Sequence, residues 1–498
     1  MKHSLFKDSV VFASSRYVLL GLSLIRNFFV AKFLGPSDYG LWVVIGLLLT
    51  YGDQIHLGLR HAGDKEIPYY RGQGRGDESL RIANTIFGGV LSLSTLAFLF
   101  LVIYVLFLRG SDDSLLRYGI LVSAFIIVTD QINRFYLMIL RTRHEFFLSS
   151  KVEAGFEFLR TVAVSALVVA FHFLGAIVGL FVASFAAALY FVLRHKREFS
   201  PNFSLHSMRP LLAMGLPLSA TGLLYILLLN LDRVVGAIAF SKEDLGIYGM
   251  ASLMAQIPVT SSQGISSVVY PRISERFGEG HDPAQLKPLF GPAITGAAFI
   301  APVLVASIFF VGRFLILWLL PAYSNSINLL FLLSFGICFL CLAPIPAAFL
   351  MAAGRNLLYL RSEVFTVIII VGVYGLLFLT RPLTLPVLAV VTSASFFLLS
   401  ALLLGHAHSI LGMTGTVRLK EVTKLYLPSL YTGTALAFIN NLFPLDQHLR
   451  IEEYLWQLVA SLALYYLVYL PMVYLLDRST GSVSRLLRSL AAKGGKVL

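Results

Sequence analysis

Apolar runs of about 20 residues return from one end of this chain to the other, and nothing else in it limits the possible folds so strongly. Each run is long enough to cross roughly 30 Å of hydrocarbon as a helix. None alternates polar and apolar residues as the strands of a membrane barrel do. Only 13% of the residues are charged against 57% hydrophobic, too few charges to wet the surface of a soluble protein of 498 residues. The fold class that follows is all-α integral membrane. Arg16 and Arg26 interrupt the first run and no small-residue cleavage site follows it, so that run is expected to stay as a membrane helix.

Fourteen transmembrane helices are expected, beginning near Ser9, Leu41, Ile82, Leu115, Val152, Ala176, Pro210, Leu245, Pro288, Asn325, Leu357, Leu383, Leu425 and Tyr454. With the N-terminus inside, 26 of the 39 Lys and Arg residues fall on the inner side and eight on the outer. That bias places both termini on the cytoplasmic side of a cell membrane. It also accounts for the net charge of +13 without a nucleic-acid partner. Outer loops are short, the longest lying around Asn441 to Glu453, so no folded soluble domain fits there.

The stretch from Leu34 to Leu80 returns from Phe240 at a constant offset of 206 residues and without a gap. Asp38, Gly40, Leu47, Gly58, Ile67, Gly72, Gly74 and Leu80 recur as Asp244, Gly246, Leu253, Gly264, Ile273, Gly278, Gly280 and Leu286. Glycines match best, as expected where backbone geometry or close helix approach constrains a position. Six spans separate the copies, an even number, so both cross the membrane in the same direction and the repeat is parallel. The chain therefore divides into an N-lobe of residues 1–200, a C-lobe of residues 201–408, and a final pair of helices with a cytoplasmic tail over residues 409–498. The joint between lobes is the basic stretch from Arg194 to Arg209. Gly40 and Gly246 are expected at equivalent places near the outer ends of spans two and eight.

Ionisable groups at membrane depth are costly and mark pathways. Arg16, Arg26, Arg60, Arg134 and Arg160 all fall in the first lobe, with Asp53, Asp130, Glu153, Glu157, His56, His61 and His172. The second lobe offers little beyond Asp232, Arg233 and Glu363. Structural readings stand beside functional ones. Arg16 and Arg26 are near enough to the ends of span one to snorkel to headgroups. Asp130 and Arg134, four apart, have the spacing of an intrahelical ion pair, as do Glu157 and Arg160, three apart. Asp53, His56 and Arg60 form one polar stripe on an otherwise apolar helix, which must face protein or water and not lipid. Such a stripe either lines a substrate path or packs against another helix. Pro258, Pro344 and Pro346 mark kinks within spans. Cys338 and Cys341 sit in an apolar run without a further ligand, so they read as packing residues and no metal site is expected. The glycines of GQGRG after Tyr70 lack the Lys-Ser/Thr and the preceding strand of a phosphate loop, and no Walker motif occurs.

At FLGPSDYGLW, at the polar second span, at LNLDRVVGAIAFSKEDLGIYGMA and at VVYPRISERFGEG, the chain resembles the polysaccharide transporter or Wzx-type oligosaccharide flippase family of the MOP (MATE-like) exporter superfamily. The resemblance runs over nearly the whole length and is thinnest after about Leu404. It implies two six-helix lobes in a V around a central cavity, with two extra C-terminal helices forming a groove for lipid. It further implies passage of a polyprenyl-diphosphate-linked glycan from the cytoplasmic to the outer leaflet by alternating access. No cofactor is expected beyond coupling to H+ or Na+, and the partners are the lipid-linked glycan, membrane lipid and glycan polymerase or assembly proteins.

A hydrated cationic cavity suits a diphosphate, because guanidinium forks match phosphate oxygens. The expected substrate contacts are Arg26, Arg60, Arg134 and Arg160, with Arg16. Asp53, His56, Asp130, Glu157 and Asp232 are expected as ion-pair or ion-coupling groups. A cation-coupled multidrug exporter of the same superfamily is the alternative, and it would want an acidic cavity. A membrane glycosyltransferase or polymerase would want paired catalytic carboxylates or a large outer loop, so the chain is not expected to be an enzyme.

Overall fold

The computed structural model describes residues 2–107, 114–195, 198–280, 282–380, 382–443 and 450–480. Among the described residues there is no strand, and fifteen α-helices follow one another: α1 (Lys2–Gly52), α2 (Leu59–Gly72), α3 (Gly76–Phe107), α4 (Ser114–Thr142), α5 (Phe146–Arg194), α6 (Leu205–Ala239), α7 (Lys242–Ala255), α8 (Val259–Gly278), α9 (Lys287–Leu319), α10 (Ser326–Leu340), α11 (Pro344–Ala352), α12 (Asn356–Thr380), α13 (Leu385–Ile410), α14 (Gly415–Leu442) and α15 (Ile451–Thr480). The chain is a multi-pass membrane protein.

Ten described stretches are long and apolar enough to cross a membrane, against the fourteen spans expected. Two of the ten each hold two expected spans, joined through a break inside one long helix. In α1 the break is Gly35, at φ 67 and ψ 174, followed by Pro36, whose ring cannot continue a helical hydrogen-bond ladder. In α5 it is His172, at φ 50 and ψ −130. Beyond it Gly175 and Gly179 lie directly against the backbone at Leu167 and Val164, so the two halves fold back on each other where small residues permit close approach. The eighth expected span falls on α7 and α8, split at Gln256–Pro258, and the thirteenth on α14, whose first turns carry Arg418, Lys420, Glu421 and Lys424. The split in the one case, and in the other the Ser, Thr, Tyr and Asn residues that lower the hydropathy of α14 beyond Lys424, keep both out of the ten.

By packing, the chain gathers into two compact units, Met1–Gly246 and Ile247–Leu498. In the first, α5 packs on α1 and α4, α3 on α2 and α4, and α6 on α1, α2 and α3. Its core joins Leu59, Ile86, Phe135, Tyr136 and Phe191. In the second, α10 packs on α13, α8 on α11, and α9 on α14 and α15, around Ile273, Phe290, Phe349, Leu404 and Tyr426. Pro344 opens α11 after a turn at Cys341–Ala343, and Pro258 precedes α8, so these prolines do mark breaks.

The repeated stretch is visible in the backbone. Helix α2 ends at Gly72 and α8 at Gly278, and the next repeated glycines, Gly74 (φ 76) and Gly280 (φ 80), both turn left-handed. Within the first unit a Cβ on Gly40 would strike the carbonyl of Lys242, and one on Gly246 would strike that of Pro36. Each glycine therefore admits the beginning of the other copy. The segment after α5 is tied down as well. The backbone N–H of Asn202 donates to the Asn84 carbonyl at 2.9 Å and that of Ser200 to Asn84 Oδ1 at 3.1 Å, while Glu198 pairs with Arg143.

Candidate functional site

The polar stripe expected on one continuous helix does not lie on one. Helix α1 ends at Gly52, Asp53–His56 form a tight 3-10 turn, and Leu57 (φ 47) and Gly58 (φ 90) are both left-handed before α2 begins. Gly58 meets Gly215 of α6 backbone to backbone, and a Cβ on either would overlap the other's main chain. That close crossing is why the span breaks here, a tertiary constraint with no signature in local periodicity. Polar side chains take up the carbonyls that the break releases. Gln131 Nε2 donates to Gly52 O and Asp53 O, each at 3.0 Å, and Arg60 reaches back from α2 to Asp53 O at 2.8 Å and Asp53 Oδ1 at 2.9 Å. His56 is buried, accepts the Gly58 N–H on Nδ1 at 2.9 Å and packs edge-on to His61.

Around this turn the charged side chains form one network. Asp53 holds Arg60 and also Arg134, whose Nε lies 2.6 Å from Oδ1. Asp130 holds Arg160 at 3.0 Å and accepts from Ser184. Glu157 pairs with Arg26 and, at 3.6 Å, with Arg160. Glu153 pairs with Arg16 at 3.5 Å. The expected pair of Glu157 and Arg160 is therefore present. The one expected between Asp130 and Arg134 is replaced, because the broken tip of span two brings Asp53 to Arg134 and α5 brings Arg160 to Asp130. Five arginines face four carboxylates, and each carboxylate carries at least one guanidinium.

A cavity of about 370 Å³ opens onto this network, and every residue lining it belongs to the first unit. Arg26, Arg134, Arg160, Asp53 and Asp130 line it, as do Asn27, Trp42, Thr50 and Gln54. Their exposures rank the arginines: the Arg134 side chain is 45% exposed and Arg160 27%, whereas Arg26 and Arg60 are each 11%. Arg60 stands behind Asp53, and Glu157 behind Arg26 and Arg160. Arg16, His56 and Asp232 are not in the lining. Asp232 is buried in α6, where it accepts the Arg233 N–H at 2.7 Å. The carboxylates keep the guanidiniums in position, and another anion entering the cavity can take their place. Among the described residues no cluster of His, Cys, Asp or Glu could hold a metal ion, and Cys338 and Cys341 are buried and free.

Two features escaped the reading of the sequence. Trp42 and Asn27 border the cavity, bonded through Trp42 Nε1–H to Asn27 Oδ1 at 3.0 Å; nothing in their spacing distinguished them from core. Arg313, expected in an outer loop, lies inside α9, where it is buried and donates to Asn440 Oδ1 at 2.9 Å and to the Phe443 carbonyl. Its apolar neighbours on both sides were the available signal.

Similarity to known proteins agrees with this architecture. Residues 5–277, more than half of the chain, match the family described as polysaccharide biosynthesis protein. No curated protein sequence matches the chain. Among solved structures, the lipid II flippase MurJ in an inward closed conformation superposes with a TM-score of 0.70 at 16% identity, over 93% of this chain and 99% of that one. An inward-facing multidrug resistance MATE family transporter of the MOP superfamily gives 0.63 at 14% identity, over 81% and 98%. A MOP superfamily transporter from Pyrococcus furiosus, described as having a binding pocket of reverse polarity, gives 0.58 at 15% identity, over 82% and 95%. The chain thus belongs to the polysaccharide biosynthesis protein family and has the fold of the MOP superfamily transporters.

Proposed function

We propose that this protein is a flippase that moves a polyprenyl-diphosphate-linked oligosaccharide from the cytoplasmic to the outer leaflet, with both termini in the cytoplasm. The observation that carries the reading is the cavity of the first unit, where Arg134, Arg160 and Arg26 converge on space large enough for an anionic head group. A diphosphate cannot cross roughly 30 Å of low dielectric unless fixed cations replace its water. The polyprenyl tail has no such difficulty and stays in lipid. Arg134, the most exposed of the three, meets the phosphate first, exchanging Asp53 for phosphate oxygens; Arg160 exchanges Asp130 in the same way. Affinity is moderated by that exchange, since every new contact replaces an old one, and moderate affinity is what release on the far side requires.

Asp53 and Asp130, once released, are the groups to take up H+ or Na+, so the coupling ion enters where the arginines let go. Alternating access then carries the occupied cavity from one side of the membrane to the other, and the glycan passes to assembly proteins outside. Membership of a polysaccharide biosynthesis family and the likeness to a lipid II flippase support a lipid-linked glycan as cargo. A cation exporter of the same fold would want a net acidic lining, whereas here three arginines face two carboxylates.

The test is transport of a labelled polyprenyl-diphosphate glycan by the purified protein in liposomes. Arg134→Ala is expected to slow it by about 100-fold or more, and Arg134→Lys to recover part of the rate by supplying charge without the fork. A normal rate in Arg134→Ala, with the protein present in the membrane, would remove the arginine cavity from the mechanism.

A further inference from the structure

The two carboxylates that cargo releases in the cavity are not equivalent. Their side chains are open to nearly the same extent, 24% for Asp53 and 26% for Asp130, so burial does not separate them. Their partners do. Asp53 holds two guanidiniums, Arg134 and Arg60, so when phosphate takes Arg134 away, Arg60 remains at 2.9 Å. Asp130 is paired with Arg160 and otherwise accepts from the hydroxyl of Ser184. Among the described residues it is the carboxylate of the lining that a single exchange leaves without a guanidinium.

The other charges around Asp130 do not fill that gap. Arg160 and Glu157 come from α5, Arg26 from α1, Arg134 from α4 itself, Asp53 from the turn and Arg60 from α2 behind it, while α3 carries no charged residue beyond Arg81. With cargo in place Arg26 stays on Glu157 and Arg60 on Asp53, and Arg134 and Arg160 hold the diphosphate. An ionised Asp130 would then face a group of like charge inside about 370 Å³, where repulsion is screened far less than in water.

The groups behind Asp130 serve either protonation state. Ser184 is buried, and its hydroxyl donates to Asp130 Oδ1 while lying 2.8 Å from Thr129 Oγ1, which is itself 3.0 Å from the Ile126 carbonyl. A hydroxyl can donate or accept. Once Oδ1 carries a proton, that proton points to Ser184 Oγ, Ser184 turns its own hydrogen to Thr129 Oγ1, and Thr129 donates to Ile126. Every donor keeps an acceptor. Asp53 is met by guanidiniums, which can only donate and so favour the ionised form. One carboxylate and one hydroxyl are too few oxygens to replace the hydration shell of a sodium ion, so a proton is the cation that suits Asp130.

Resting on the flippase reading above, we infer that Asp130 is the first group to take up the coupling ion, accepting one proton from the cavity water on Oδ1 as the diphosphate takes Arg160. Proton and cargo therefore occupy the cavity together. Each tightens the binding of the other by the same factor, the opposite of competition for one site.

Calorimetry of pyrophosphate binding to the purified full-length protein, in buffers of different ionisation enthalpy at one pH, counts the protons taken up. Protonation of pyrophosphate itself is common to all variants and cancels between them. Scanned from about pH 5 to about pH 8, uptake by the parent should rise to about one proton above that of Asp130→Asn, and there its affinity should increase about tenfold more per unit fall in pH. Difference infrared spectra give a second measurement that needs no variant: pyrophosphate should bring up a carboxylic acid C=O band in the parent. The inference is overturned if that band does not appear, if parent and Asp130→Asn take up equal numbers of protons, or if Asp53→Asn removes the excess and Asp130→Asn does not. Tighter pyrophosphate binding when Na+ replaces K+ at fixed pH, in the parent and not in Asp130→Asn, would put sodium at the site and overturn the proton. Each of these leaves the arginine cavity standing. Absence of pyrophosphate binding by the parent would instead overturn the head-group reading, and the coupling site with it.

Discussion

The two units of this protein bury polar groups in opposite ways. In the first, four carboxylates and five arginines are drawn together beside a cavity, and their pairing is incomplete by one charge. In the second, buried polar groups mostly serve the main chain or one another. Tyr465 and Tyr469 donate to the carbonyls of Pro302 and Phe299 at 3.1 and 2.9 Å, Ser400 meets Tyr426 at 2.9 Å, and Arg313 holds the end of α14. Hydrogen bonds of the second kind fix helices against each other. An ion-pair network is expensive to bury and weak as a source of stability, so its presence beside space points to a ligand. Descent from one duplicated stretch did not preserve the chemistry: α2 and α8 still end at equivalent glycines, yet only the first copy carries Asp53 and Arg60 at its break.

The contrast can be broken most severely at Asp53. Asp53→Ala leaves the largely buried Arg60 and the cavity-facing Arg134 without their shared carboxylate; breaking a fully buried pair costs roughly 3–5 kcal/mol, and solvent around Arg134 puts the expected loss at the lower end, about 3 kcal/mol. Thermal or denaturant unfolding in detergent should show that loss, and Asp53→Ala with Arg134→Met should recover part of it. If the single variant is as stable as the parent, the network is not the buried unit described here.

In the second unit, Arg313→Met should lower stability by about 2 kcal/mol through the loss of its charged hydrogen bonds to Asn440 and Phe443. Phosphate and pyrophosphate affinity should not change. An altered affinity would mean that the second unit also contributes charge to the ligand, and the contrast between the units would fail.

The smallest effect tests whether every charge of the first unit serves the cavity. At its other end Glu198 bridges Arg143 and His195, with His195 Nδ1 2.6 Å from Oε2. Despite that carboxylate, burial first, then Arg143 and Arg194, hold the imidazole below its ordinary pKa of 6.5. The folded protein thus keeps His195 neutral, donating Nδ1–H to Glu198, while the unfolded chain takes up a proton near 6.5. Stability from this contact is complete above that value and falls as pH drops below it. Between about pH 7.5 and about pH 5.5, His195→Gln should flatten the decline in melting temperature by at most about 2 °C. Transport should keep the parent's pH profile. A shifted transport profile would make this contact part of the cavity's machinery.

Much of this was open to a reader of the sequence. Composition settled the membrane class, because charge is too scarce for water. The repeat aligned Gly72 with Gly278 and Gly74 with Gly280 without saying what they do, and the fold puts helix ends at the first pair and left-handed turns at the second, since backbone geometry leaves its mark on glycine. Pro258 and Pro344 stood at breaks, and Glu157 with Arg160 made the short-range pair their spacing allows. Those signals are local, and they survive translation into one dimension.

Tertiary structure decided the rest. In water an amphipathic pattern tells which face of a helix is buried, but lipid is as apolar as the protein interior, so an apolar span has no such pattern to read. Hence the sequence could name Arg60 and Arg134 together, yet only the fold shows one behind Asp53 and the other half exposed to the cavity. Nor could it separate the open cavity lining at Gly46 from the tight crossing of Gly58 with Gly215, since a glycine is written alike in both places and only its neighbours in space differ.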